Sequence, residues 1–398
     1  MKKLKSMPAS DVLGIIPDNL LDQFARDSDV DVQVKKLKGK TILQLFLYGA
    51  LNFKTISQRI LAAVYASDEF RLLFQTTGKA VKFSAISMRL GTIKISYFEN
   101  IFNYLVHSKQ VSSVCFADTK IGVEKLDSTF LGLSSKLLKF GMDFNPGRKN
   151  IKFGVKLSGS IPVHIQLFTN SSDISEDRVF PKILMETQQK DALNITIFDR
   201  GMNKRENFIN LNQKHIYFIS RFRNTYKTDI VTHTPVTRTT TNSLTDLSDQ
   251  HIQFTNYTLQ DATDKDSTFR LIKGTNKDSH EVIYFLTNVD FLEAWEITEL
   301  YKSRWEIETF FKFIKQELNF KHLLSRNENG IQAVMYLTMI TAILLTIYKK
   351  VNNIVGWAIT KFKFMEDLQR AIMYQWAPQV LAALHEGKNL SQVQYSSG

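Results

Sequence analysis

The chain has 398 residues, 43% of them hydrophobic, and a formal charge of +12, a composition that supports a sizeable core and more than one domain and excludes a disordered chain. Its one cysteine, Cys115, excludes an internal disulfide and any thiolate zinc cluster, and fits a reducing, cytoplasmic setting. The positive excess favours a polyanionic partner, and more than half of it lies in residues 1–110, where 16 Lys and Arg face 9 Asp and Glu.

The opening MKKLKSMPASDVLG is basic but lacks the apolar run of a signal peptide. From Asp18 to about Val106 the stretches LLDQFARDSD, TILQLFLYGALNF, TISQRILAAVYAS and ISYFENIFNYLV repeat apolar residues every three or four positions, which predicts helices. Between them, Lys35, Lys36, Lys38 and Lys40, and further on Arg89 and Lys94, either present cations to a phosphate backbone or form a solvated basic face. No spacing here names a groove-reading motif.

Near residue 111 the pattern changes. VEKLDSTFLGL, IKFGVKLSG and IPVHIQLFTN are rich in β-branched and aromatic residues and predict three successive antiparallel strands. A helical SEDRVFPKILMETQQK, the strand NITIFDRG, a helical NKRENFINLNQK and the strand HIYFISRFR follow, so a β-meander continues as β-α-β-α-β. That order predicts a mixed sheet with helices on its faces. Residues 224–280 are polar and threonine-rich and read as a β-rich insertion, after which EVIYFLTNV returns as a strand ahead of a long helix. Ile331–Tyr348 is long enough to cross a bilayer, but its Gln332, its threonines and its position behind an amphipathic helix favour a buried core helix. After Val351 the pattern is weak, and the polar SQVQYSSG reads as a frayed end.

Asp127, inside LDST, and Asp199, at the end of NITIFD, occupy strand positions that commonly carry catalytic groups in such sheets. Each also suits a turn or a helix N-cap. Asp118 in FADTK competes with Asp127 as the first acid. His164 and His215 read as structural strand residues.

The stretch YKSRWEIETFFKFIK places Tyr301, Arg304, Glu308 and Lys315 within an arc of roughly 60° if it forms one continuous helix. Ile307, Phe310 and Ile314 lie on the opposite, core-facing side. Carboxylates without Cys or His favour hard cations such as magnesium or manganese, and two such ions suit in-line phosphoryl displacement. Arg304 and Lys315 suit phosphate, and Tyr301 can donate to a phosphate oxygen or stack on a base.

These residues resemble insertion-sequence transposases of the DDE type, whose Y-x2-R-x3-E-x6-K signature matches Tyr301, Arg304, Glu308 and Lys315. LDST, KFGVKLSG, GSIPVHI, FDRG, FISRFR around Arg221 and FLTN carry the likeness over roughly residues 110–350. The resemblance implies an α/β fold with a ribonuclease H-like mixed sheet and helices on both faces. It implies a helical DNA-binding domain over 1–110, a catalytic domain over 111–350 interrupted by the insertion at 224–280, and a helical tail over 351–398 suited to dimerisation.

It also implies that Asp127, Asp199 and Glu308 hold two magnesium ions, with manganese able to substitute, while Tyr301, Arg304, Lys315 and Arg221 contact phosphate or DNA. The expected activity is cutting at the element's own terminal inverted repeats, through a hairpin, and joining of the 3′-hydroxyl ends to target DNA. The expected assembly is a homodimer on double-stranded DNA with no membrane role. A nuclease or resolvase that cuts without joining, and an inactive DNA-binding derivative, are the alternatives.

Overall fold

In the computed structural model of the protein the described residues are 6–76, 79–115, 121–133, 140–145, 148–188, 193–223, 226–255 and 267–385. Asp118 and the terminal SQVQYSSG lie outside them. The chain forms two compact units, one of Met1–Phe116 with Lys312–Gly398 and one of Ala117–Phe311.

The first unit begins with helices α1 (Ala9–Leu13), α2 (Asp18–Asp27), α3 (Gly39–Asn52), α4 (Gln58–Ala66), α5 (Asp68–Phe74), α6 (Phe83–Thr92), α7 (Ile95–His107) and α8 (Lys109–Cys115). The second contains β1 (Gly122–Leu133), β2 (Met142–Asn145), β3 (Arg148–Ser158), β4 (Ile161–Phe168), α9 (Glu176–Glu186), β5 (Asn194–Phe198), α10 (Arg205–Gln213) and β6 (Tyr217–Phe222). It goes on through β7 (Thr228–Thr234), β8 (Leu244–Phe254), β9 (Phe269–Asn276), β10 (Val282–Thr287), α11 (Ala294–Lys302) and the start of α12 (Trp305–Glu317). The rest of α12, α13 (Glu328–Val351) and α14 (Trp357–His385) belong to the first unit.

Within the first unit α13 packs against α3, α6, α7, α8 and α14. Asn327 caps it by accepting from the Gly330 N–H, and it is buried along nearly its whole length, as the core-helix reading requires. Serine caps start α4 and α5, where Ser57 and Ser67 accept from the amides of Ile60 and Phe70. The basic loops are partly tied down. Arg89 donates to the carbonyls of Leu37 at 2.9 Å and Val30 at 2.7 Å and lies beside Asp31, so it holds a loop together instead of facing a ligand. Lys40 pairs with Asp18 at 2.8 Å. The weak pattern after Val351 conceals a long helix, α14, which packs on α1, α3, α5 and α13.

The second unit is built on one ten-stranded sheet. On one side β3 pairs with β1, and on its other side with β2 and β4, all antiparallel. β1, β5 and β6 then run parallel. β10, β9, β8 and β7 extend the sheet beyond β6 by antiparallel pairing, so the insertion strands continue the main sheet. Alternation along each strand separates two cores. Phe198, Phe218, Phe269 and Leu286 meet α9 and α10 on one face, where Phe180 and Phe208 complete an aromatic cluster. Ile195, Ile197, Ile219, Ile272 and Phe285 meet Ile297 of α11 on the other. Phe218 is fully buried, so Phe218→Ala would cost about 3–5 kcal/mol.

Candidate active site

The parallel strands β1 and β5 pair from Gly122 opposite Asn194 to Lys125 opposite Ile197. Asp127 and Asp199 each stand two residues past that last rung, so the two acids come out side by side where the strands part. This is the carboxyl end of parallel strands, where α/β sheets place ligands. β1 continues in register with β3, Asp127 opposite Val155, so its backbone is fixed. Asp199 opens a turn instead, and the Gly201 N–H donates to its Oδ1 at 2.9 Å.

The Ser128 N–H donates to Asp127 Oδ1 at 2.7 Å. Burial pushes the Asp127 carboxyl up to about 7; that N–H and the Arg304 charge oppose the rise, while the charges of Asp199 and Glu176 add to it. Arg304 in turn donates to Glu308 Oε1 at 2.5 Å. Glu308 therefore stands behind a guanidinium whose charge acts on Asp127. One residue pair anchors this arrangement: the Lys125 ammonium, on the same face of β1 as Asp127, donates to Glu306 of α12 at 3.1 Å.

The continuous helix expected over 301–315 is interrupted. α11 ends at Lys302 and α12 begins at Trp305. Between them the amides of Ser303, Arg304, Glu306 and Ile307 bond three residues back, to Leu300, Tyr301, Ser303 and Arg304. The Ser303 hydroxyl donates to the Leu300 carbonyl at 2.7 Å, a local bond that competes with helix continuation. The single polar stripe is thus redistributed: Tyr301 ends α11, Arg304 sits in the break, and Glu308 and Lys315 lie on α12. Lys315 falls in the last turn of α12, within the first unit. Ile307, Phe310 and Ile314 are buried, as their spacing implied.

Tyr301 packs edge-on against Phe285 at 5.0 Å, and the Arg304 guanidinium lies 5.9 Å from its ring centre. Burial raises the Tyr301 hydroxyl above its ordinary range. Together with Arg221, Ser243 and the exposed Trp305 these residues line a pocket of about 270 Å³. Arg221, on β6, pairs with Glu281 at 2.7 Å.

Two residues that the sequence pattern did not single out also belong to this site. Glu176, at the start of α9, accepts from the Ser128 hydroxyl at 3.0 Å. Lys152 of β3, only 1% exposed, donates to the Ile174 carbonyl at 2.6 Å and lies 3.9 Å from Glu176. The run SEDR reads as an ordinary N-cap with acids in the first turn, which conceals a carboxylate that faces β1. Among the described residues, no three His, Cys, Asp or Glu are already grouped to hold a metal ion.

A family model described as a transposase DDE domain matches residues 126–345. The putative transposase for insertion sequence element IS4SA of Synechocystis sp. is 24% identical over 278 residues, which cover 66% of this chain and 74% of that protein. The putative transposase y4zB of Sinorhizobium fredii is 38% identical over 74 residues, 19% of this chain and 21% of its own length. The probable transposase for insertion sequence element IS5377 of Geobacillus stearothermophilus is 26% identical over 106 residues, covering 26% and 28% of the two chains. Among solved structures, the piggyBac transposase in a synaptic complex with hairpin DNA aligns with a TM-score of 0.50 at 10% identity, over 99% of this chain and 87% of that one. That likeness agrees with the ribonuclease H-like mixed sheet described above.

Proposed function

This chain belongs to the transposase DDE domain family, and on that premise we propose that it cuts DNA at the terminal inverted repeats of its own insertion element and joins the freed 3′-hydroxyl ends to target DNA. The observation that carries this reading is the placement of Asp127 and Asp199 two residues past the last parallel rung of β1 and β5.

Such a domain implies divalent metal use in general, and the donor chemistry here fits it. Asp127 and Asp199 offer only oxygen, which suits magnesium or manganese. Burial and the charges of Asp199 and Glu176 push the Asp127 carboxyl up, and a bound divalent cation would offset both. We assign Asp127 and Asp199, with Glu308 as third donor, to hold the metal. When bound, divalent cations supply Lewis-acid stabilisation of the phosphodiester and acidify the attacking water or hydroxyl.

The chain's own residues do the rest. Arg304 presents a planar fork able to take a phosphate oxygen pair, and its ion pair with Glu308 orients both side chains. Arg221, Tyr301 and Trp305 converge on one pocket beside it, suited to a strand end or a tight hairpin turn. Lys315 is assigned to phosphate contact by its place in the Tyr-Arg-Glu-Lys spacing. The basic residues of the helical N-terminal region supply the wider attraction to duplex DNA, and the protein works as a homodimer on its two element ends.

The test is direct. Purified protein with magnesium and DNA bearing the element's own ends nicks the ends, forms hairpins and joins them to a target plasmid. Cutting without joining would instead identify a nuclease.

A further inference from the structure

We propose that Glu176 is a positioning residue of the reaction, setting the separation of Asp127 and Asp199 by wedging its carboxylate between the residues that follow each of them. This rests on the reading of those two aspartates as the reacting centre.

One oxygen of Glu176 accepts from the hydroxyl of Ser128, the residue after Asp127, whose own N–H holds the Asp127 carboxylate. The other oxygen occupies space beside Gly201, two residues after Asp199. A Cβ at position 201 would lie 1.4 Å from Glu176 Oε2 and 3.0 Å from Asp199 Oδ1. Gly201 is therefore glycine because the Glu176 carboxylate takes the room of its side chain, and that carboxylate borders Asp199 as well as Ser128.

The helix start that carries Glu176 is itself clamped to the same turn. Asp177 Oδ1 accepts from the amides of Asn203 at 2.7 Å and Lys204 at 2.8 Å and from the Asn207 side chain at 3.2 Å. Behind Glu176 the buried Lys152 ammonium, held by the Ile174 carbonyl, faces the ring of Phe130 at 5.1 Å. It offsets the charge of the acids in front of it. The segment Ser175-Glu176-Asp177 thus spans the two strand ends. The pairing of β1 with β5 stops at Lys125 and Ile197, short of both aspartates, and a displacement of about 1 Å at reacting groups can cost on the order of a hundredfold in rate.

The test uses full-length protein, magnesium and the element's own ends, with variants E176A, E176Q, G201A and the double variant E176A/G201A. E176A and G201A should each lower kcat by about tenfold or more with little change in KM for DNA. E176Q, which still accepts from Ser128 and fills the gap, should restore most of that loss. The double variant should be close to E176A alone, because the new methyl then no longer meets the Glu176 carboxylate and keeps only the 3.0 Å approach to Asp199 Oδ1. Independently of turnover, E176A should need several-fold more manganese than the parent to reach half of the metal-induced rise in melting temperature.

Full turnover in E176A, losses that multiply in the double variant, or an unmoved manganese titration would each overturn the inference. D127N and D199N separate it from the reading beneath it. If they cut like the parent, the assignment of the reacting centre fails; if they are inactive while E176A is unimpaired, only the role of Glu176 fails.

Discussion

Asp127 and Asp199 lie at equal distance past the rung formed by Lys125 and Ile197, the last that β1 and β5 share. Equal offset on parallel strands is what brings two acids 72 positions apart in the chain to one spot. The crowding has a measurable consequence for the metal-free protein.

A buried Asp127 carboxyl at about 7 in the folded chain takes up a proton on folding. Its contribution therefore favours the folded state in acid and is lost as pH rises from the ordinary aspartate range near 4 to about 7. Asp127→Asn should remove that dependence. Melting curves without metal should place D127N above the parent by several degrees at pH 8, with the gap closing toward pH 4.

Lys125 is 4% exposed, whereas its partner Glu306 is half-exposed. The two ends of this ion pair should respond unequally. Glu306→Ala leaves a buried ammonium without its carboxylate and should cost about 1–3 kcal/mol. Lys125→Met removes the charge and keeps the volume, and should be within about 1 kcal/mol of the parent. Urea denaturation of the two variants checks the order.

Arg304 joins Glu308 to the Asp127 environment. Arg304→Ala should lower kcat for end cleavage by about 10- to 100-fold, and Arg304→Lys should recover only part of it because the ammonium lacks the planar fork. Single-turnover cleavage rates with saturating DNA make the comparison.

Arg89 spends its guanidinium on the carbonyls of Leu37 and Val30 and on Asp31. Arg89→Ala should lower the melting temperature, yet leave the slope of log affinity against log salt for DNA unchanged, since no phosphate contact is lost. A slope reduced by about one would instead place Arg89 on the backbone.

Elements that carry their own period are legible in the sequence: Asn194–Phe198 is a short buried β run, and Ile307, Phe310 and Ile314 mark a helix face. What escaped the pattern depends on contacts distant in sequence or on local bonding. The break at Ser303 comes from a hydroxyl bonding its own turn, which no apolar period records. Glu176 resembles any first-turn acid until Ser128, 48 residues earlier, and Gly201 are brought to it by the sheet. β7 is polar and exposed at the sheet edge, so it lacks the alternation that marks a half-buried strand. α14 falls within the helical tail that the resemblance implies, but apolar periodicity alone does not mark it, because its surface mixes exposed apolar residues such as Phe362 and Tyr374 with charges.

Asp127 and Asp199 are proposed to form one metal-dependent phosphoryl-transfer centre. The most direct measurement is magnesium-dependent cleavage of DNA carrying the element's own ends by the parent, D127N and D199N, with DNA affinity measured on the same preparations. Both variants should bind the ends within about threefold of the parent and cleave at least about a thousandfold more slowly. Parent-like cleavage by both variants, at parent-like affinity, would contradict it.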